Sequence, residues 1–336
     1  MITLGIESSC DETAVSVIED GRKILSNTVF SQIKTHAKYG GVVPEIASRE
    51  HLQAINYVVR ESLAEAGVSF EDIDLIAVTM GPGLVGALLV GMSYAKGLAL
   101  ALDKPLIGVN HMEGHVAANY LAHHDLEPPF ASLIVSGGHT YLVDVTSYTD
   151  YKVIGQTRDD AAGEAFDKVS RVLGLGYPGG PAIQNAAEKG NPQAIDFPRV
   201  MLEKDSYDFS FSGLKTAVTN YLHNQKQKDL EIDIYDTAAS FQEAVLDVLV
   251  EKSVRLVKEL DRDKFVLSGG VAANKPLRER LEKEMSELGV KTYFPPLSLS
   301  TDNAAMIACA GYYNYKEFGP DDLDINVYPN LGLRKG

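Results

Sequence analysis

Residues 4–25, LGIESSCDETAVSVIEDGRKIL, and residues 133–154, LIVSGGHTYLVDVTSYTDYKVI, follow the same pattern. Each contains an apolar strand, a small polar turn, a second strand, another turn and a third strand. A three-strand unit that occurs twice, each time followed by helical stretches, indicates an internal duplication. We therefore predict an α/β protein with two lobes and a central cleft between them.

Two long helices are predicted in the first half. Pro44 favours a helix start, and the helix continues to about Ala66. Its apolar stripe, which we expect to face the core, is Leu52, Ile55, Val59 and Leu63. The second helix, 84-LVGALLVGMSYAKGLALAL-102, is long enough to span a membrane. It contains Lys96 and three glycines and is followed by Asp103-Lys104-Pro105, so we favour a buried core helix.

The bulk composition restricts the classes of function. The chain has 336 residues and a net charge of −15, which argues against a protein that coats nucleic acid non-specifically. Its two cysteines, Cys10 and Cys309, are too few for a disulfide framework and suit a reducing compartment. The N-terminus has no basic segment followed by a long apolar run, so we predict a cytoplasmic protein.

The stretch 109-VNHMEGHVAANYL-121 holds two histidines four residues apart. On a helix with about 100° per residue, His111 and His115 lie about 40° apart and can share a metal ion. Glu113 lies about 200° from His111, on the opposite face, and cannot act as the general base of a zinc peptidase. The pattern therefore disfavours a metallopeptidase.

Two histidines do not complete a metal site. The segment 298-SLSTDNAAMIACAGYY-313 offers Asp302 at a helix start. Two alternatives remain open, because Asp302 could cap that helix and the histidines could pack in an apolar core. A site of two histidines and one aspartate would suit iron or zinc.

Several loops at predicted strand ends could bind a ligand. IESSCDET (6–13) supplies acidic groups, VSGGH (135–139) supplies free backbone amides, and 267-LSGGVAANKPL-277 joins a strand to a helix. Helix 158–175 begins with acids that suit its N-terminus, and YPGGPAIQ (177–184) opens another helix. Each loop can be explained as a turn or a cap, but three glycine loops in one chain favour ligand binding.

These residues together resemble the TsaD family, the tRNA N6-adenosine threonylcarbamoyltransferases formerly called O-sialoglycoprotein endopeptidases. The similarity runs from GIESSCDET at the start to TDNAAMIA near residue 302. Its most specific part extends from Lys96-Gly97 through Asp103 and Pro105 to His111, Gly114 and His115. YGGVVPEIASREH (39–51) is similar to the bacterial branch.

The resemblance implies a duplicated, two-lobed actin-like ATPase fold of the sugar-kinase, heat-shock ATPase and actin superfamily. We expect the N-terminal lobe at residues 1–125 with a C-terminal helix at about 300–325, and the other lobe at 126–299. The resemblance also implies one divalent metal ion, Fe²⁺ or alternatively Zn²⁺, on His111, His115 and Asp302. The implied nucleotide contacts are Ile134, Val135, Ser136, Gly137, Gly138, Asp167, Gly180 and Asn274. Many relatives have an acid at the position of Gln184, which we therefore leave out of the site.

The implied reaction moves a threonylcarbamoyl group from threonylcarbamoyl-AMP to N6 of the adenosine adjacent to the anticodon, in tRNAs that read ANN codons. ATP, ADP or AMP could occupy the same nucleotide site. We expect Asp11 or Glu12 to accept the proton of the amine. A glycoprotein-cleaving metallopeptidase and a non-catalytic ATP-binding scaffold remain as alternatives.

The implied partners are tRNA, the subunits TsaB and TsaE, and a TsaC-type enzyme that makes the intermediate, with no membrane. Because the chain is acidic, tRNA docking is expected to need a partner surface or a local basic patch. The candidates for that patch are Lys34, His36, Lys38 and Arg49.

Overall fold

The computed structural model describes residues 1–200 and 205–333, which cluster into two compact units. Unit 1 contains Met1–Pro128, Val145–Lys152 and the described residues from Pro295 onward. Unit 2 contains Pro129–Asp144 and Val153–Phe294. Each unit is built on a five-stranded sheet.

The sheet of unit 1 has the order β3-β2-β1-β4-β5. Its strands are β1 (Ile2–Glu7), β2 (Glu12–Glu19), β3 (Lys23–Ser31), β4 (Leu75–Gly81) and β5 (Leu106–Asn110). Its helices are α1 (Ile33–His36), α2 (Pro44–Ala66), α3 (Val85–Leu102), α4 (His111–Ala122), α10 (Leu297–Ser300) and α11 (Ala304–Phe318). Strand β1 pairs antiparallel with β2 and parallel with β4, and β4 pairs parallel with β5.

The second sheet has the order β10-β9-β6-β7-β8. Its strands are β6 (Phe130–Val135), β7 (Thr140–Val145), β8 (Tyr151–Gln156), β9 (Lys264–Ser268) and β10 (Lys291–Tyr293). The helices of unit 2 are α5 (Ala162–Leu173), α6 (Gly179–Ala187), α7 (Ser212–Gln227), α8 (Ile234–Leu260) and α9 (Lys275–Glu287). From its other edge the order is β8-β7-β6-β9-β10, which repeats that of unit 1, so the predicted duplication is confirmed.

Helix α2 has the predicted bounds, and Ile55, Val59 and Leu63 of its predicted stripe are buried, but Leu52 is not. Leu52 is 66% exposed. The buried face includes the polar residues His51 and Ser62, because the sheet provides them with hydrogen-bond partners. His51 Nδ1 lies 2.7 Å from Thr13 Oγ1, and Ser62 Oγ lies 2.7 Å from Ser26 Oγ. Apolar spacing therefore predicted most of the buried face correctly but misplaced Leu52.

Helix α3 packs against β4 and α2 by one face only. Leu88, Met92 and Ala95 are buried, whereas Val85 and Leu100 are 53% and 72% exposed. Within residues 1–200 and 205–333, α3 is the one helix that is long and apolar enough to cross a membrane, although 33% of it is buried in the protein. The helix belongs to the outer layer of unit 1, so the predicted burial applies to one of its faces only.

Arg22, just before β3, joins several segments of unit 1. It donates to the carbonyl oxygens that end α4 and to two tyrosine hydroxyls, with donor–acceptor distances of 2.6–3.2 Å. These acceptors are Tyr120 O, His123 O, Leu126 O, Tyr148 Oη and Tyr313 Oη. One guanidinium therefore ties the end of α4 to the segment 145–152 and to α11.

We expect Arg22→Ala to lower the free energy of unfolding by about 3 kcal/mol, because several half-buried acceptors lose a charged donor together. Chemical denaturation followed by circular dichroism would measure the loss. The neighbouring Lys23→Ala is a matched control. Lys23 forms an exposed ion pair with Glu19, and such pairs contribute little to stability. Equal effects of the two substitutions would contradict the role given to Arg22.

Asp159 and Asp160 precede α5 but do not cap it, since its N-cap is Ala161. Asp159 instead accepts at the start of α7, from the backbone N–H of Phe211 at 2.8 Å and from that of Ser212 at 3.2 Å. The Ser210 and Ser212 hydroxyls also donate to it. Burial alone would raise the pKa of Asp159, but these hydrogen bonds outweigh it and lower the pKa below 3.8.

Because the folded-state pKa of Asp159 is lowered, its stabilisation is present above about pH 4 and is lost as the pH falls through the lowered value. We expect Asp159→Ala to cost about 1 kcal/mol at pH 7 and less at pH 3. Asp159→Asn keeps an acceptor and should retain most of the stability at both pH values. Denaturant titrations at the two pH values would test this, and a cost of Asp159→Ala that does not depend on pH would contradict it.

Candidate functional site

Strand β5 ends at Asn110, and helix α4 begins at the next residue. The Asn110 side chain caps the helix by accepting a hydrogen bond from the backbone N–H of Met112 at 2.9 Å. The cap makes His111 the first helical residue, so His115 follows about one turn later on the same face. Both rings are buried, and their centroids are 4.6 Å apart.

Asp302 lies in the turn between α10 and α11. Its Oδ1 atom is 3.3 Å from Nε2 of His111 and 3.4 Å from Nε2 of His115. Asn303, rather than Asp302, caps α11, since its side chain accepts from the backbone N–H of Met306 at 3.1 Å. The capping and apolar-packing alternatives are therefore not what the structure shows, because both imidazoles are directed at one carboxylate oxygen.

These three side chains fit a divalent metal ion. Their ligand atoms lie within 4.8 Å of one another. In a tetrahedral site with metal–ligand bonds of about 2.0–2.1 Å, neighbouring ligand atoms are ~3.3 Å apart. The distances of 3.3 and 3.4 Å from the Nε2 atoms to Asp302 match that spacing. Imidazole nitrogen and carboxylate oxygen are a donor set that suits iron or zinc.

Glu7, at the end of β1, contacts the other side of His111. Its Oε2 atom lies 2.9 Å from Nδ1 of His111 and accepts from Oγ1 of Thr79 at 2.6 Å. Burial alone would lower the pKa of His111, but the Asp302 and Glu7 carboxylates hold it well above its usual range. Sequence reasoning missed Glu7. The available signal was a single acid at the end of the otherwise apolar strand ITLGIE.

Glu113 is buried on the same helix but forms a hydrogen bond with a different element, α11. Its Oε2 atom accepts a hydrogen bond from Nδ2 of Asn314 on α11 at 3.0 Å. The two histidines, by contrast, meet Asp302 through their Nε2 atoms. The predicted separation of Glu113 from the histidine pair is therefore confirmed, which removes the residue that a zinc peptidase would use as its base.

Asp11 and Glu12 lie where the first loop enters β2. Asp11 is buried, and Glu12 accepts from the Ser31 hydroxyl at 3.3 Å. Burial and the negative charges of Asp302 and Asp11 raise the pKa of Glu12 to about 10. The two acids thus share an electrostatic environment with Asp302, and Glu12 holds a proton far more tightly than an ordinary glutamate does.

In unit 2, Ile134 and Val135 end β6 and lead into the glycine turn. The backbone N–H of Ser136 donates to His139 O at 2.8 Å, and its hydroxyl accepts from the His139 N–H at 3.2 Å. A Cβ atom on Gly137 or Gly138 would meet no heavy atom within 4 Å. The turn therefore presents bare, accessible backbone at the end of a strand.

The chain after β9 passes close to that turn. Strands β6 and β9 are parallel, with Ile134 opposite Ser268. Gly269 has a φ of +89°, and a Cβ atom there would lie 2.4 Å from Val135 O. Only glycine allows this approach. Ligands of open α/β sheets commonly bind at such strand ends, so the predicted residues Ile134–Gly138 lie where a nucleotide could bind.

Two of the other predicted nucleotide residues, Asp167 and Asn274, form hydrogen bonds at helix starts. Oδ1 of Asp167 on α5 accepts from the backbone N–H of Gly179 at 2.6 Å and so holds the start of α6. Gly180 is the next residue, and a Cβ atom there would meet nothing within 4 Å. Asn274 caps α9 by accepting from the Leu277 N–H at 3.0 Å, and its amide donates to Gln242 at 3.0 Å.

The TsaD family, described as tRNA N6-adenosine threonylcarbamoyltransferase, matches residues 23–309 of the chain. A protein of that name from Clostridioides difficile (strain 630) is 58% identical over 335 residues, covering 100% of this chain and 99% of its own length. Another from Clostridium perfringens (strain ATCC 13124) is 57% identical over 332 residues, covering 99% and 98%.

Among solved structures, HypF from T. kodakarensis aligns over 94% of this chain and 48% of its own, with a TM-score of 0.64 and 15% sequence identity. At that identity the likeness concerns the fold alone, and the predicted duplicated α/β fold is confirmed. Sequence identity above one half along the full length also decides the family. The chain belongs to the TsaD family of tRNA N6-adenosine threonylcarbamoyltransferases.

Proposed function

We propose that the chain transfers a threonylcarbamoyl group from threonylcarbamoyl-AMP to N6 of the adenosine adjacent to the anticodon, in tRNAs that read ANN codons, and releases AMP. Transfer to N6 of a tRNA adenosine follows from membership of the family. The main support for the rest of the proposed reaction is that His111 and His115 both face Asp302 in a chain of this family.

The chemistry requires a proton acceptor and stabilisation of negative charge. The N6 amine attacks the carbonyl carbon, and the bond from that carbon to the phosphate oxygen breaks. Electrons from that bond pass to AMP, so negative charge develops on the phosphate. The amine, which is a poor nucleophile, must lose one proton as the new C–N bond forms.

We assign His111, His115 and Asp302 as the ligands of one divalent ion, Fe²⁺ or alternatively Zn²⁺. When bound, such an ion supplies positive charge against the phosphate of the leaving group. These three side chains are well suited to holding the ion, because each is buried or partly buried. The Glu7 carboxylate also contacts Nδ1 of His111, the ring nitrogen that does not face Asp302.

For the nucleotide we assign the backbone of Ile134–Gly138, with Asp167, Gly180 and Asn274. Exposed N–H groups of the glycine turn can bond phosphate oxygens, and carboxylate and amide side chains can bond ribose or base. ATP, ADP or AMP would bind the same groups. Since Asp167 and Asn274 also hold helix starts, their substitution is expected to affect stability as well as affinity.

Asp11 or Glu12 is assigned as the proton acceptor. Burial and the neighbouring carboxylates raise the pKa of Glu12, which strengthens its carboxylate as a base but favours the protonated form near neutral pH. A bound cation would favour the ionised form that Glu12 needs in order to accept a proton. Proton transfer to a positioned carboxylate typically contributes about 10²- to 10⁴-fold to the rate.

The proposed partners are tRNA, TsaB, TsaE and a TsaC-type enzyme that supplies the intermediate, in the cytoplasm. The net charge of −15 supports a need for a partner surface or a local basic patch in docking tRNA. Lys34 and Lys38 are exposed and stay in the candidate patch, whereas Arg49 pairs with Glu45 at 2.7 Å. His36 was a wrong choice for the patch, because it is fully buried and bonded to Gln32.

We expect His111→Ala to lower both bound metal and threonylcarbamoyladenosine formation by about 100-fold or more, since it removes a ligand from the ion. Metal analysis and a modification assay with tRNA, threonine, bicarbonate, ATP and the partner proteins would measure both. Glu113→Gln should keep both. Glycoprotein cleavage by the wild-type protein that a chelator blocks would instead favour the peptidase alternative. Nucleotide binding without consumption of the intermediate would favour the scaffold.

We expect Glu12→Gln or Asp11→Asn to lower the single-turnover rate about 100-fold or more while substrates still bind, because the acceptor for the N6 proton is lost. Glu19→Gln, at the opposite end of β2, is the control and should leave the rate unchanged. Single-turnover transfer from preformed threonylcarbamoyl-AMP would isolate this step. Full rates in both loop variants would eliminate the assignment of the base.

A further inference from the structure

The buried carboxylate of Glu7 has three hydrogen-bond partners in unit 1. Its side chain is fully buried. One oxygen, Oε1, accepts from the backbone N–H of Ser9. The other, Oε2, accepts from the Thr79 hydroxyl at 2.6 Å and lies 2.9 Å from Nδ1 of His111. In metal sites, a carboxylate commonly accepts a hydrogen bond from the ring nitrogen of a histidine ligand that does not bind the metal. This contact fixes the orientation of the ligand.

An ionised carboxylate can only accept hydrogen bonds, so Nδ1 of His111 must carry the proton that joins it to Glu7. Oγ of Ser9 also lies 3.2 Å from Nδ1, but a hydroxyl can donate or accept and does not decide where the proton resides. With the proton on Nδ1, the lone pair of neutral His111 is on Nε2. That nitrogen is the one that lies 3.3 Å from Asp302.

We propose that Glu7 is a positioning residue that keeps the proton of His111 on Nδ1 and thereby leaves Nε2 free to bind the metal ion. The proposal rests on the metal centre proposed above. It assigns no catalytic contact to Glu7, which acts only through His111. Thr79 on β4 and the backbone N–H of Ser9 hold the Glu7 carboxylate in place. The orientation of His111 therefore depends on the neighbouring strands β1 and β4.

The substitution Glu7→Gln tests this idea sharply, because an amide has one acceptor and one donor end. The Ser9 N–H can only donate, so the carbonyl oxygen of the glutamine should face Ser9. The NH₂ group would then face Nδ1 of His111, which must accept. The imidazole proton would move to Nε2, the nitrogen that has to bind the ion.

We expect Glu7→Gln to weaken Zn²⁺ binding about 10- to 100-fold, as measured by competition with a chromogenic chelator at pH 7.5. The matched control is Glu113→Gln, the same chemical change at another buried carboxylate, on the helix that carries the histidines. The control should bind Zn²⁺ as the wild type does. Thermal unfolding of both metal-free variants would show that each is folded.

Nitrogen-15 NMR of the histidine rings in the Zn²⁺-loaded wild type gives a second test that needs no variant. The expected spectrum has the His111 proton on Nδ1. A proton on Nε2, or wild-type affinity in Glu7→Gln, would overturn the role of Glu7. If the wild type bound no metal, or if His111→Ala bound it as tightly as the wild type, the metal centre itself would be wrong.

Discussion

Parallel pairing of β1, β4 and β5 brings three strand ends to one edge of the sheet in unit 1. Glu7 ends the first strand, Thr79 lies near the end of the second, and His111 follows the third. The candidate metal centre depends on this constraint. A shift of one residue in any of these registers would turn the side chain to the other face of the sheet and separate the carboxylate from the imidazole.

The same edge concentrates negative charge. Glu7, Asp11, Glu12 and Asp302 are all buried or partly buried there, and burial together with repulsion from Asp302 and Asp11 raises the pKa of Glu12 to about 10. Grouping buried carboxylates costs stability unless positive charge or hydrogen bonds compensate for it. His111 compensates for part of this cost in the protein, and a divalent cation would compensate for much of the remainder.

Periodic features were predictable from the sequence, and features that depend on distant partners were not. The repeated strand pattern predicted both sheets, and helical spacing placed His111 and His115 on one face. Leu52 was misplaced because Thr13 and Ser26 allow the polar residues His51 and Ser62 to be buried. Periodicity does not show that Asn303 rather than Asp302 caps α11, because both residue types suit that position. It also does not show that Asp159 serves α7, which depends on a contact between residues distant in sequence.

Unit 1 is discontinuous along the chain, because its last part begins at Pro295. During synthesis from the N-terminus, both histidines leave the ribosome long before Asp302 does. At about 5–20 residues per second the interval is roughly 10 to 40 s. Throughout that time the nascent chain presents two imidazoles without their carboxylate partner. Stable binding of the proposed ion would therefore follow the synthesis of Asp302, and any ion bound earlier would be held by an incomplete and less selective set of ligands.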